Sequence, residues 1–569
     1  MNAERLLAHY EKIADASDAI GRLRRFILDL AVRGKLVPQD PKDEPASELM
    51  KRIAKERAKR ISLGEMRHSK LSANPIDFPF EPPSGWVWLR LGDTGNIFSG
   101  NSINEPTREQ LAKTQEGRPF IATKDVGYGL DRIGYENGLL VEFSDKRFKV
   151  ARTNSVLICA EGGSAGKKIG LADREICFGN KLLANETWSV VSSKFSLYAY
   201  MSEFFFEQFS SKMKGIIGGI SIANFLELPF PLPPHAEQHR IVAKVDELMG
   251  LCDRLEAARV GRETTRDRLA AASLARLNAP APETFQNDAR FALDARPALT
   301  TRPDQIKRLR QTILNLAVRG KLVPQDTNDE PASELLKRIV KEKGRTRHPV
   351  AAIGSEDEPY PLPKTWRWAA LDQLIVSGPQ NGISPKPTSR EDAPKAITLT
   401  ATTSGSFNPA HFKRVEARIP QDSEFWLRDG DLLFQRGNTR EYVGMAAVYR
   451  GPAHAFLFPD LIMKVRVSAH MSLEFMHLAS ISPPAREFLS ANASGAQATM
   501  PKINQTTLVS LPLPLPPLAE QHRIVAKVDA LMALCDRLEA SLIAIATTRR
   551  RLLDALLTEA LEPAEATAA

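Results

Sequence analysis

The sequence predicts an α+β protein: two globular mixed α/β inserts separated by long helices, in a pseudo-twofold tandem duplication. Two observations predict it. Residues 22–56 (RLRRFILDLAVRGKLVPQDPKDEPASELMKRIAKE) match residues 308–342 at 28 of 35 positions, and residues 228–257 (LPFPLPPHAEQHRIVAKVDELMGLCDRLEA) match 511–540 at 26 of 30. Between these repeated elements the chain shares only an opening: PPSGWVWLRLGD aligns with LPKTWRWAALDQ, pairing Trp86 with Trp366 and Trp88 with Trp368. A frame kept nearly identical twice around unlike inserts suits a device that presents two different readers in equivalent settings. Duplication without functional asymmetry is the plainer alternative, but drift would then have loosened the frames as much as the inserts.

The elements follow in order. Residues 1–64 form a helical region: a helix from about Ile20 to Val32, a stop at Gly34, the loop LVPQD, and a second helix from about Pro45. Residues 65–227 are the first insert, 228–345 a central helical region, 346–510 the second insert and 511–569 a last helical region. In the central region Ile241, Val245, Leu248, Cys252 and Leu255 alternate spacings of four and three, a coiled-coil seam. The last region repeats it through Ile524, Val528, Leu531, Cys535, Leu538, Leu542 and Ile545, then Leu552 and Leu556. Pro233-Pro234 and Pro516-Pro517 precede the helix starts, and Glu237 and Glu520 suit a positive first turn. The central helix, about 236–277, spans roughly 60 Å at 1.5 Å per residue. The Pro/Ala-rich stretch 278–303 reads as a linker. Within the inserts, short β-branched and aromatic runs broken by Gly and Asn argue mixed domains with much antiparallel sheet, the four paired tryptophans packing in their cores. An apolar surface matched between 28–37 and 314–323 is expected to face partners.

Composition bounds the function. With 25% charged and 43% hydrophobic residues the chain of 569 is globular, not disordered. No apolar run approaches the ~18 residues of a membrane span. The first 17 residues carry Glu4, Arg5, Glu11, Lys12 and Asp15 and lack a signal's apolar core. Cys159, Cys177, Cys252 and Cys535 form no CxxC pair, so a reduced, cytoplasmic protein is expected. The net charge of +9 hints at an anionic partner, yet the inserts are nearly neutral, with 19 basic and 19 acidic residues over 65–227 and 17 and 15 over 346–510.

These blocks carry a resemblance. PLPP-x-AEQHRIVAKVD, LR-x-x-IL-x-LAVRGKLVPQD and the P-x-x-W-x-W opening of each insert resemble the specificity subunit of type I restriction–modification systems, in order over nearly the whole chain. The resemblance implies two target recognition domains, 65–227 and 346–510, joined by long antiparallel helices. It implies a DNA-binding, non-catalytic subunit that recruits two adenine-N6 methyltransferase subunits and, in the full enzyme, two motor-nuclease subunits. S-adenosylmethionine, ATP and Mg are then expected only in those partners. A scaffold whose inserts bind proteins rather than DNA is the alternative that near-neutral inserts leave open.

The missing chemistry agrees. Amino-methylation of a flipped base needs an Asn/Asp-Pro-Pro-aromatic loop; Asn74-Pro75 and Asn408-Pro409 continue instead as Ile-Asp and Ala-His. The stretch 162–168 (GGSAGKK) resembles a phosphate loop, but its glycines are one residue too close and Lys168 stands where the Mg-ligating Ser/Thr belongs. Pro459-Asp460 lacks a following acidic-x-Lys, and no HExxH exists. His239 and His522, on the helix starts, are interfacial or solvent-facing.

The candidate DNA readers are glycine-rich polar loops with embedded cations. In the first insert these are 162–170, with Gly163, Ser164, Lys167 and Lys168, followed by Lys181; the counterpart is 435–444 (QRGNTREYVG), with Arg436, Asn438, Thr439 and Arg440. Glycine admits close backbone approach, Arg and Asn can pair two hydrogen bonds with base edges, and Lys suits phosphates. A hairpin with solvated charges is the structural alternative. A second loop per insert, 214–225 and 494–505, leads into the frame and offers Gln497, Lys502 and Asn504, or else merely eases the junction.

Overall fold

The computed structural model describes residues 16, 18–66, 79–215, 218–279, 281, 283–343, 353–354, 356–494 and 500–561. The amino-terminal stretch considered above and Gln497 lie outside them. The chain forms two compact units, 1–262 with 546–569, and 263–545.

In the first unit, α1 (Ala19–Val32) ends in a Schellman motif. Lys35 N–H donates to Leu30 O at 2.9 Å and Gly34 N–H to Ala31 O at 3.3 Å, with Gly34 at φ +64°. α2 (Ala46–Ser62) follows Pro45 and buries Ala46, Leu49 and Ile53. β1 (Val87–Arg90) opens the insert. Next come β2 (Gly95–Ser99), α3 (Glu105–Lys113), β3 (Arg118–Ile121), β4 (Leu140–Val141), β5 (Val150–Ala151), β6 (Val156–Cys159), β7 (Ile169–Leu171), β8 (Ile176–Phe178) and β9 (Leu182–Thr187). Helices α4 (Ser193–Met201), α5 (Glu203–Ser211) and α6 (Ile222–Leu226) precede β10 (Pro229–Leu232), which pairs antiparallel with β1. The prolines of β10 alternate, so their missing N–H groups fall on the side away from β1. One sheet has the order β2-β9-β6-β7, all antiparallel; a second, β4-β3-β8-β5, contains one parallel pair, β3 with β8.

Helix α7 (His235–Asn278) is 44 residues long, and its residues fall in both units. Then come α8 (Phe285–Asp294), α9 (Arg296–Leu299), α10 (Pro303–Val318) and α11 (Ala332–Lys343). The second insert opens with β11 (Arg367–Ala370), α12 (Leu371–Leu374), β12 (Ile375–Asn381), β13 (Lys395–Ile397) and β14 (Phe412–Arg414). It continues through β15 (Leu432–Gln435), β16 (Ala446–Val448), β17 (Ile462–Val467), α13 (Leu473–Ile481), α14 (Pro483–Ala491) and α15 (Gln505–Val509). β18 (Pro512–Leu515) pairs with β11, and α16 (Leu518–Leu561) completes the chain. The sheet β12-β17-β15-β16 repeats the order of β2-β9-β6-β7. The unlike inserts therefore share one fold, a likeness their sequences conceal beyond the opening tryptophans.

The frames are cross-linked alike. Glu237 accepts from Trp86 Nε1 at 3.0 Å and Gln39 Nε2 at 3.1 Å; Glu520 accepts from Trp366 at 2.9 Å and Gln325 at 2.5 Å. Arg24 bridges Asp253 and Glu256, as Arg310 bridges Asp536 and Glu539. The four paired tryptophans are buried as expected.

Three expectations are corrected. The seam of α7 buries Ile241, Val245, Met249 and Cys252, whereas Leu255 is 38% exposed. A straight helix drifts from a strict heptad, so the stripe takes in Met249 beside Leu248, which is half-buried against the same core. The stretch 278–303 is not a bare linker: it carries α8 and α9, whose Ala292 and Leu299 pack on Ala270, Leu274 and Leu277. The apolar surface expected over 28–37 is consumed internally, with Leu28, Leu30, Ala31 and Val32 buried. Among the described residues, no helix is long and apolar enough to cross a membrane.

Candidate nucleic-acid interface

The two first-choice loops occupy the same place in the two inserts: each is the hairpin tip between the third and fourth strands of the shared sheet, β6–β7 and β15–β16. Stretch 162–168 thus runs into a strand, not a helix, which removes the phosphate-loop context. Each hairpin turns at a left-handed glycine. Gly166 (φ +72°) returns its N–H to Cys159 O at 2.8 Å, and Gly444 (φ +76°) to Gln435 O at 2.6 Å. A Cβ on Gly166 would meet Phe209 at 2.7 Å, and one on Gly444 would meet Leu489 at 2.7 Å.

The second loop of each insert joins the first through main-chain hydrogen bonds. Gly162 N–H donates to Gly218 O at 2.8 Å and Ile220 N–H to Ala160 O at 2.9 Å; Asn438 N–H donates to Pro501 O at 3.3 Å and Ile503 N–H to Arg436 O at 2.8 Å. The sequence kept these loops apart; folded, they make one continuous surface per insert.

The side chains sort by what they already hold. Lys167, Lys181 and Lys502 are exposed, with no ion pair among the described residues. Lys167 lies 5.9 Å from the Phe206 ring. Gly163 is exposed, with open space where a Cβ would stand, and Ser164 Oγ meets Tyr128 Oη at 3.1 Å. Lys168 is spoken for: its Nζ donates to Thr123 O at 3.0 Å and lies 5.3 Å from the Tyr128 ring. In the second insert Thr439 and Arg440 are exposed, Arg440 reaching Ser490 O at 3.5 Å. Arg436 is half-buried and donates to Asp460 O at 3.4 Å. Asn438 spends both side-chain atoms internally, its Nδ2 on Gln435 Oε1 at 2.6 Å and its Oδ1 accepting from Thr439 N at 2.7 Å. Asn504 caps α15, accepting from Thr507 N at 2.7 Å, as Ser221 caps α6.

What supports each hairpin differs. Arg486 of α14 donates to Val443 O at 2.6 Å and Glu441 O at 2.9 Å, and burial pushes its guanidinium down to about 10. Under Gly166 stands Phe206 of α5. Sequence reasoning missed a third segment of the first insert, 127–131, where Tyr128 is 56% and Leu130 46% exposed; an aromatic between two glycines was the available signal. This segment borders a cleft of about 760 Å³ lined also by Arg24, Arg25, Asp253 and Glu256. His239 is exposed beside His235, their Nε2 atoms 3.3 Å apart. No cluster of three metal-ligating side chains occurs among the described residues.

Residues 83–260 and 418–546 match the family described as "Type I restriction modification DNA specificity domain", together more than half of the chain. The chain belongs to this family of specificity subunits. It is 31% identical to the specificity subunit of the type I restriction enzyme EcoEI of Escherichia coli, over 95% of this chain and 94% of that one. It is 30% identical to the EcoAI specificity subunit of the same species, over 94% and 93%. A chain solved in work on assembly and conformational transition of the type I R-M system shares the fold at TM-score 0.50 and 18% identity, covering 85% of this chain and 99% of that one. The specificity subunit thus works in DNA sequence recognition, as the resemblance of its repeated blocks implied.

Proposed function

We propose that each insert of this specificity subunit, 65–227 and 346–510, reads one half of a bipartite, asymmetric DNA target, and that the chain itself catalyses nothing. One observation carries the reading: the two joined loops share the main-chain bonds that tie them together, with isoleucine kept at 220 and 503, but carry different side chains at the positions around it, Ala160 against Arg436, Gly162 against Asn438 and Gly219 against Lys502. One backbone presenting two sets of groups selects two different sequences, so the target is not palindromic. Lys167, Lys181, Arg440 and Lys502 supply phosphate or base contacts.

The two equivalent frames give two equivalent docking sites, so two adenine-N6 methyltransferase subunits bind per chain, and motor-nuclease subunits join in the full enzyme. S-adenosylmethionine, ATP and Mg act in those partners, in the cytoplasm. The names of the relatives, specificity subunits, support the non-catalytic role.

Exchanging 346–510 for the corresponding segment of a relative tests the division of labour. Methylome sequencing should show one half-site replaced and the other kept; replacement of both, or of neither, sinks the two-reader scheme. Light scattering of the co-purified complex should give two methyltransferases per chain.

A further inference from the structure

We propose that Tyr128 and Leu130 of the first insert touch the DNA duplex directly, as a third reading segment whose counterpart in the second insert is of a different chemical kind. The proposal rests on the reading of the hairpin surface above and adds to it a segment outside both of its loops.

The segment is fastened to the hairpin. Tyr128 and Lys168 form a backbone bridge, the Tyr128 hydroxyl meets Ser164 Oγ at 3.1 Å, and Lys168 Nζ lies 5.3 Å from the ring. Lys168 also donates to Thr123 O at 3.0 Å and Lys124 O at 3.4 Å, so it works as a strut between hairpin and segment. A ring held this firmly could have been turned inward. It stays 56% exposed instead, with Leu130 46% exposed two residues on. Leu130 belongs to none of the apolar clusters of the first unit. Two large apolar side chains held in water within three residues of each other at a polar loop tip gain stability when a ligand covers them.

Charge selects the ligand. Lys124, Arg132 and Lys167 surround the tip, exposed and without an ion pair among the described residues. Three carboxylates stand beside them: Asp125 Oδ2 accepts from Ala122 N at 2.8 Å and Asn137 Nδ2 at 2.7 Å, Asp131 Oδ2 accepts from Tyr128 N at 3.3 Å, and the exposed Glu136 lines the same hollow as Lys124 and Arg132, so that with Lys168 the four cations outnumber the carboxylates by one. Unpaired cations ringing an apolar tip fit a polyanion with apolar base faces and thymine methyls between its phosphates. On the other side of the segment, the cleft pairs its own charges, Arg24 with Asp253 and Glu256, and Arg25 with Glu203. That side offers a protein partner little charge to recognise.

The second insert differs at the same place. Its segment 402–411 follows the equivalent short turn, Leu399–Ala401. It exposes Ser404, Ser406 and Asn408, while Phe407 turns inward onto Tyr449 with ring centroids 4.9 Å apart. One insert thus offers an aromatic-aliphatic tip and the other a hydroxyl-amide tip.

The test uses the full chain in its co-purified complex, with duplexes carrying the motif that methylome sequencing of the host reveals. Tyr128→Ala and Leu130→Ser should each weaken binding about tenfold, leave the salt dependence unchanged, and relax discrimination in one half-site only. Tyr128→Phe, which keeps the ring, should bind as the parent does. Should Tyr128→Ala fail to fold, Leu130→Ser decides alone. Parent-like binding and discrimination by the substituted complexes overturns the proposal, and so does loss of a co-purifying subunit with DNA affinity intact, which would assign the tip to a protein contact. The failures are separable: a parent complex that binds no duplex defeats the hairpin reading as well, whereas a parent that binds, weakened by Lys167→Ala but not by the tip variants, defeats this inference alone.

Discussion

The indole of Trp86 donates to Glu237 at 3.0 Å across 151 residues of sequence, and Trp366 donates to Glu520 at 2.9 Å across 154. Each bond ties the opening strand of an insert to the first turn of a long helix. Both carboxylates are 1% exposed, and burial raises their pKa against the pull of the Gln and Trp donors. Glu237→Ala strands a buried N–H and should cost about 1–3 kcal/mol, whereas Glu237→Gln keeps an acceptor and should cost less. Chemical unfolding of the two variants checks this; equal losses would mean that the bond contributes nothing.

Asp29 gives a pH signature. It is 7% exposed on α1 and accepts from Phe204 N at 3.1 Å; burial outweighs that bond and raises its pKa from 3.8 to about 6. The native state therefore holds the proton more tightly than the unfolded chain. Its contribution to stability is fully present below pH 3.8 and is lost as pH rises through about 6. The second frame has Asn315 at the matching position. Asp29→Asn should leave stability unchanged near pH 4 and raise it by up to about 3 kcal/mol at neutral pH. A melting series across pH reads the difference; a shift of equal size at both ends would exclude ionisation as the cause.

Gly34 and Gly320 stop α1 and α10, both at φ +64°. A Cβ on Gly34 would stand 2.3 Å from Pro83 Cγ, and one on Gly320 2.5 Å from Pro363 Cγ. Alanine at either position should cost about 2 kcal/mol or more from the left-handed backbone and the clash together. Gly21→Ala, inside α1 with nothing within 4 Å, should gain up to about 1 kcal/mol. Thermal melts of the three variants should diverge in sign.

On the DNA surface, exposed cations and engaged side chains should behave differently. Lys167→Ala and Arg440→Ala should weaken binding and reduce the salt slope by about 1 each, with stability unchanged. Asn438→Ala and Lys168→Ala remove struts and should lower the unfolding midpoint. Gel shifts at several salt concentrations, paired with urea unfolding, distinguish the two classes.

Much of this was legible in the sequence because the frame was written twice. Gly34, the double prolines and Glu237 each mark an element boundary by a local rule, and local rules survive without tertiary knowledge. The seam took in Met249 and lost Leu255 because heptad spacing alone does not fix which side of a straight helix meets its neighbour. The shared fold of the inserts was hidden because only scattered positions must be kept, such as Ser192 and Ser472, whose hydroxyls cap α4 and α13 through Phe195 and Phe475 N–H. Lys168 and Asn438 read as DNA contacts because residue type does not reveal that a side chain is already bonded within the protein. Tyr128 was missed for the converse reason: an aromatic residue reads as core until its exposure is seen.

The ribbon of β1 and β10 has a consequence for synthesis. When β1 leaves the ribosome its partner strand and Glu237 are still unmade, and at ~5–20 residues per second they follow about seven to thirty seconds later. The ribbon cannot close until the whole insert, which lies between its two strands, has been made. A chain whose insert misfolds therefore presents no finished frame for a partner to grip. Closure of each frame is thereby conditional on an insert whose two ends meet, which couples the frame to the insert during synthesis.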